Sequence, residues 1–214
     1  MNAEGPILVC YAVPEEVRPL RRWARKRGRL HLLETGMGRR NAEATIEAWF
    51  SRVVPSIVIS SGFAGGLNPI WRTGQVIHEF DPDFPWAHRV EASGAQSGRF
   101  FCADRIAVTR HEKRALHEKT GAEAVEMESE PIRGFCRAQG VPSATIRVIS
   151  DAADEDLPLD FNRLMGANWE MDYGRLALAL AGSPGRMIEL IRFQRRLRAA
   201  AESLATVLRR VIEG

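Results

Sequence analysis

A chain of 214 residues, 45% hydrophobic and 27% charged, can bury a full core and has an ordinary folded composition, which excludes disordered and fibrous classes. Its formal net charge of +3, from 30 Lys and Arg against 27 Asp and Glu, implies no polyanion partner by itself. The three separated cysteines, Cys10, Cys102 and Cys136, exclude a tidy disulfide framework and any CxxC metal or redox motif, so a reducing, cytoplasmic setting is expected.

The opening MNAEGP carries an acid where an export leader needs basic charge, and the apolar run from Ile7 to Val13 stops at Pro14, Glu15 and Glu16. No stretch approaches the ~18–20 consecutive apolar residues that span a bilayer. In chain order, ILVCYAV from Ile7, LHLLET from Leu30, SIVISS from Ser56, QVIHEF from Gln75 and ATIRVIS from Ala144 read as strands. Helical composition and spacing mark PEEVRPLRRWARK after Pro14, RRNAEATIEAWFSRV from Arg39, HEKRALHEK from His111 and SEPIRGFCRAQ from Ser129. Three helix starts stand out: Pro14 before a Glu pair, Ser129 as a cap, and Ser183 before Pro184. Residues 81–96 read as a long loop, and the last thirty residues as one amphipathic helix rich in arginine. The alternation predicts a single three-layer α/β domain over residues 1–214, with a mixed, mainly parallel sheet flanked by helices. Ligands of such a sheet bind beyond the carboxyl ends of its strands.

The five histidines are scattered, and His111 and His117 fall on different faces of their helix, so no metal site is expected. There is no GxSxG elbow, and Cys136 reads as a small core residue. Two glycine-rich turns, TGMG at 35–38 and GFAGG at 62–66, follow strands and let backbone amides approach a ligand; neither completes GxGxxG. Glu16, Glu128 and Asp151 lie just past apolar runs. In a parallel sheet they would meet on one rim, which is the set a glycosidic cleavage needs: an acid for the leaving group, a carboxylate for water and another for sugar hydroxyls.

The segments ETGMGRRNAEATI, SSGFAGGL, AVEMES and ATIRVISDAAD, in this order and spacing, resemble the nucleoside phosphorylase and nucleosidase superfamily, especially the methylthioadenosine/S-adenosylhomocysteine nucleosidases. The resemblance covers residues 6–156, and its specific part is VEME followed some twenty residues later by RVISD. It implies that Asp151, preceded by Ser150, is the general acid toward purine N7. Glu128 would accept the ribose hydroxyls, with Met127 on the sugar face beside Glu126, and Glu16 in AVPEEV would orient the hydrolytic water. Gly62, Ala64 and Gly65 would form the turn beneath the ribose, and Asp104 would flank the base pocket. An acid that holds its proton near neutrality needs burial or nearby acids, and Asp154, Glu155 and Asp156 stand close in sequence.

Three departures bear on substrate choice. Phe63 replaces a small hydroxyl residue of the family's glycine turn, Ile106 replaces the aromatic that packs on adenine, and residues 81–96, which help shape the family's pocket for the 5′ group, lack the usual pattern. A narrower resemblance, through CADRIAVTRHEKRALHEKTGAEAVEMES, SDAADEDLP, RLALALAGSPG and the arginine-rich end, is to the hopanoid-associated phosphorylase branch. It implies release of adenine from a nucleoside bearing a large lipid at its 5′ carbon, and the basic amphipathic helix could then rest on anionic lipid. The alternative is a solvated arginine face whose leucines pack on the sheet.

The resemblance implies a homo-oligomer, most simply a dimer, acting on a small-molecule nucleoside without a cofactor. Phosphate would be co-substrate in a phosphorylase, where Arg39 and Arg40 after TGMG could supply donors. Glu16 favours hydrolysis, because a carboxylate at the nucleophile position repels phosphate and suits water. The rival class is a nucleic-acid-binding module built on the arginines around Trp23; no RNP, zinc-finger or helix-turn-helix pattern accompanies them, and no nucleic acid is expected.

Overall fold

The computed structural model describes residues 5–166, 169–181 and 183–214. The first four residues of the opening segment and Gly182 of the AGSPG stretch lie outside them. The strands are β1 (Ile7–Tyr11), β2 (Leu30–Glu34), β3 (Ile57–Gly66), β4 (Val76–Phe80), β5 (Gln96–Ser97), β6 (Phe100–Cys102), β7 (Ala124–Glu126) and β8 (Ser143–Asp151), with buried apolar runs in β1, β3 and β8. They make one sheet in the order β2-β1-β3-β8-β4-β5, with β7 joined to β3 and β6 to β7. The strands β2, β1, β3 and β8 are mutually parallel, while β4 runs against β8 and β7 against the end of β3. The mixed, mainly parallel sheet is therefore as expected.

Helices cover both faces because the central strands are apolar on both. On one side α1 (Pro14–Ala24) and the long closing helix α8 (Pro184–Glu213) pack Leu20, Leu204, Leu208 and Val211 on Val9, Ile59 and Ile146. On the other, α2 (Arg39–Phe50) and α5 (Ser129–Ala138) set Ile46, Ile132 and Cys136 on Leu8 and Val58. The two remaining long-loop regions carry α3 (Ala87–Ala92) and α4 (Arg110–Thr120). Two short helices, α6 (Phe161–Leu164) and α7 (Tyr173–Leu180), form an annex with the first turns of α8, centred on Leu159, Leu164 and Leu190.

Four expectations change. GFAGG is not a turn: it continues β3 through Gly66, with Gly62 at φ +147° and a register shift between Ala64 and Gly65. Residues 81–96 are not one loop, since they hold α3 and the start of β5. Ser129 does not cap α5; it is the first helical residue, and its hydroxyl donates to Glu126 Oε1 at 2.6 Å. Glu128 follows β7, which runs antiparallel to β3, as the N-cap of α5, so the three acids do not share a parallel rim. In α8 Leu204 and Leu208 do pack on the sheet, whereas Met187, Ile188 and Ile191 of its first turns are exposed.

This division along α8 is testable. Leu204→Ala, at a fully buried position, is expected to cost about 2–5 kcal/mol in urea unfolding, while Ile188→Ala should stay within about 0.5 kcal/mol.

Candidate functional site

One cavity of about 580 Å³ opens where β3, β7 and β8 end. Its inner end is polar, with Glu16, Glu126, Glu128, Arg147, Ser150 and Asp151 on the wall, all at or below 6% exposure. Its outer end is apolar, built by Leu157, Phe161, Met165, Trp169, Met171, Tyr173 and Leu176 with Leu190, Phe193 and Leu197 of α8.

The centre of the polar end is Arg147. Its position on β8, opposite Gly62 of β3, buries the guanidinium, which pairs with Glu126 Oε2 at 2.9 Å and Glu128 Oε2 at 3.0 Å and donates to the Phe63 carbonyl at 3.0 Å. Burial alone would lower its pKa, but the charges of Glu126, Glu128 and Glu16 hold it raised, so the cation is permanent. Glu126 also accepts from the amides of Glu128 and Ser129 at 2.9 and 2.7 Å, which ties the start of α5 to β7. Glu128 accepts from Gly38 N at 2.8 Å, so the TGMG turn meets the acid through its backbone. Gly38 takes φ +86° there, a conformation suited to glycine. Burial, and then the charge of Glu126, raise Glu128 above the usual carboxylate range against the pull of Arg147.

Glu16 sits in the first turn of α1, just past β1, and reaches back. Its Oε2 accepts from Ala12 N at 2.7 Å and Val13 N at 3.0 Å, and its Oε1 from Phe63 N at 2.8 Å. Burial, and then the charge of Glu128, push this carboxyl up to about 7, against Arg147 and the amide bonds. Gly62 lies behind it: a Cβ there would fall 2.7 Å from Glu16 Cδ. Gly62 thus shapes the site without lining the cavity, whereas Phe63, Ala64 and Gly65 line it.

Asp151 ends β8. Its Oδ1 accepts from Ser150 Oγ at 2.5 Å, and its Oδ2 lies 2.5 Å from the ammonium of Lys113, a fully buried lysine of α4. The acids expected around it are turned elsewhere: Glu155 bonds Arg196 at 2.7 Å and Ala152 N, and Asp156 accepts from Arg110 N. Met127 and Ile106 are on the wall. The backbone of Ile106 is held by Asn162 of α6, N to Oδ1 at 3.0 Å and O to Nδ2 at 2.9 Å.

Asp104 is a correction: its side chain is 93% exposed, off the cavity wall, and only 3.9 Å from Arg39 Nε. Arg39 pairs with Glu130 instead of facing the cavity, and Arg40 is exposed and off the wall as well. Residues 81–96 do not line the cavity; the 157–197 annex takes that place. Arg147, Lys113 and the annex were not identified from sequence. Their signals were present but weak: an arginine inside an apolar strand, a lysine in a polar helix, and Leu and Met scattered after Asp160.

A family model described as the Phosphorylase superfamily matches residues 77–182, which include the VEME and RVISD segments. That stretch of the chain is similar to the phosphorylase superfamily. Over 168 residues it is 27% identical to a 5′-methylthioadenosine/S-adenosylhomocysteine nucleosidase of Exiguobacterium, covering 63% of this chain and 72% of that one. The nucleosidase of that name from Neisseria meningitidis, solved with methylthio-immucillin-A, superposes at TM-score 0.70 with 18% identity, covering 97% of this chain and 98% of that one. Futalosine hydrolase of Helicobacter pylori gives 0.69 with 16% identity over 98% and 97%. At these identities the superpositions establish a shared fold with these two enzymes.

Removing the central cation strands buried carboxylates. Arg147→Met is expected to destabilise the protein by about 3–5 kcal/mol in urea unfolding, and Arg147→Lys should recover only part because it cannot bridge both acids bidentately.

Proposed function

We propose that this protein hydrolyses the N-glycosidic bond of an adenine nucleoside modified at its 5′ position, without a metal or organic cofactor. The observation that carries the reading is the convergence of three buried acids, Glu16, Glu128 and Asp151, at the polar end of a cavity whose other end is apolar. The named activities of the Exiguobacterium and Neisseria relatives support it.

In this reading Asp151 donates its proton to N7 of the departing base, so that the glycosidic electron pair leaves on a neutral purine. The ribose, now oxocarbenium-like, is held by Glu128 through its hydroxyls, with Met127 against its face and Glu126 and Arg147 fixing Glu128 in place. Glu16 orients a water toward the anomeric carbon and takes its proton. Phosphorolysis is the lesser reading: Arg39 and Arg40 are off the cavity wall, and Arg147 is committed to two carboxylates beside Glu16. A nucleic-acid module is weaker still, because part of the basic segment is spent internally, with Arg21 on Glu34 at 3.7 Å and Arg27 paired to Glu213.

The apolar annex supports a bulky, apolar 5′ group, of which a hopanoid-type lipid nucleoside is one form. Exposed Tyr173, Leu178, Met187, Ile188 and Ile191 lie on the annex helices that wall the apolar end, near Arg192, Arg195 and Arg198, and this supports peripheral contact with an anionic membrane when such a substrate is delivered. The chain would work as one domain, and as a homodimer in keeping with its superfamily resemblance.

Adenine release from methylthioadenosine, S-adenosylhomocysteine, adenosine and a long-chain 5′-alkyl adenosine, each with and without phosphate, tests the reading. The expected result is phosphate-independent release with free ribose as the product, fastest for the long chain. Strict phosphate dependence would transfer the reading to phosphorolysis.

A pH profile tests Glu16 separately. Water activation needs the carboxylate, and burial keeps that group protonated up to about pH 7. On the acid side kcat/KM is therefore expected to rise about tenfold per pH unit and level off above about pH 7. A profile already flat at pH 5 would remove Glu16 from that role.

A further inference from the structure

Lys113 has no part in the reading above, yet its side chain is fully buried, which is rare for a lysine. The capping box of α4, with Thr109 and Glu112, fixes the helix start and aims Lys113 inward. There its ammonium has three partners: the carbonyls of Ala152 and Glu155, each at 2.8 Å, and Asp151 Oδ2 at 2.5 Å. The loop after β8 and the acid at its end are thereby pinned to one cation. Ser150 Oγ holds the other oxygen of Asp151, so the carboxyl group cannot rotate freely.

We propose that Lys113 is a positioning residue for the general acid, holding Asp151 in line with the departing base and offsetting the negative charge it acquires when its proton is given up. The inference rests on the general-acid role assigned to Asp151 above. In the step concerned, the Asp151 O–H bond breaks as the N7–H bond forms, the C–N pair moves onto the base, and the new carboxylate meets an ammonium already in place. Lys113 keeps its own protons throughout. Several charged groups nearby have partners of their own: Glu112 with Arg105, Glu155 with Arg196, Asp156 with the Arg110 amide, and Glu126 with Arg147. Asp154 is exposed, and Lys113 is the cation in contact with Asp151.

Two substrates separate this role from a structural one. Adenine must be protonated to leave, whereas p-nitrophenolate on the same 5′-modified ribose leaves without an acid. Lys113→Met keeps the length of the side chain and removes its charge. With the adenine substrate, kcat is expected to fall about 100-fold, within the range general acids contribute. With the p-nitrophenyl riboside, kcat should change less than about threefold, and n-propylamine added to Lys113→Ala should restore part of adenine release. Equal losses on both substrates would overturn the proposal. Should neither variant fold, the 15N resonance of the Lys113 ammonium is expected to differ between the unaltered protein and Asp151→Asn, and an unchanged resonance would overturn it equally. If the unaltered protein cleaves the p-nitrophenyl riboside but no adenine nucleoside, the nucleosidase reading fails rather than the Lys113–Asp151 coupling, which the ammonium resonance still reports.

Discussion

A single buried guanidinium makes the arrangement of this site possible. Three carboxylates cannot share a dry pocket unless a cation offsets their charge, and Arg147 is that cation for Glu126 and Glu128 and, at longer range, for Glu16. Its place on β8 opposite Gly62 is fixed by strand register, and the register is fixed by the apolar runs of β3 and β8, buried along almost their whole length. Core packing therefore decides where the charges meet. A second buried cation, Lys113, pairs with Asp151 at the end of β8.

The site is also divided by polarity. Charged groups lie at the strand ends, where backbone amides of Ala12, Val13, Gly38 and Phe63 are free to bond carboxylates. The apolar end comes from a segment beyond the last strand, α6, α7 and the start of α8, tied to the inner site by Asn162 on Ile106 and by Leu157 N on the Val108 carbonyl. A ligand that fills the cavity must have a polar, hydrogen-bonding half and an apolar half. A nucleoside with an apolar 5′ group has that shape.

Much of this was legible in the sequence. The five long strands and the main helices carry strong apolar periodicity, and Glu16 and Asp151 stand at or past the ends of parallel strands, so their convergence follows from topology, while Glu128 joins them past the antiparallel β7. What escaped has physical causes. The GFAGG segment looks like a turn because glycines break strands in water, but here β8 and β7 supply its backbone partners. Asp104 matches a motif by position alone, and no packing pulls it inward. Arg147 and Lys113 are charged residues whose burial depends on partners distant in sequence, which no local pattern reports. The annex is short helices with irregular spacing, and it becomes apolar on one side only once α8 is in place.

The central claim, that these acids divide the work of glycosidic hydrolysis, is tested most directly by a crystal structure with an uncleavable 5′-alkylthio adenine nucleoside analogue. The account predicts N7 on Asp151, the ribose hydroxyls on Glu128, a water on Glu16 facing the anomeric carbon, and the alkyl chain among Phe161, Trp169 and Leu190. A base lodged in the apolar annex, or a phosphate rather than a water beside Glu16, would contradict it.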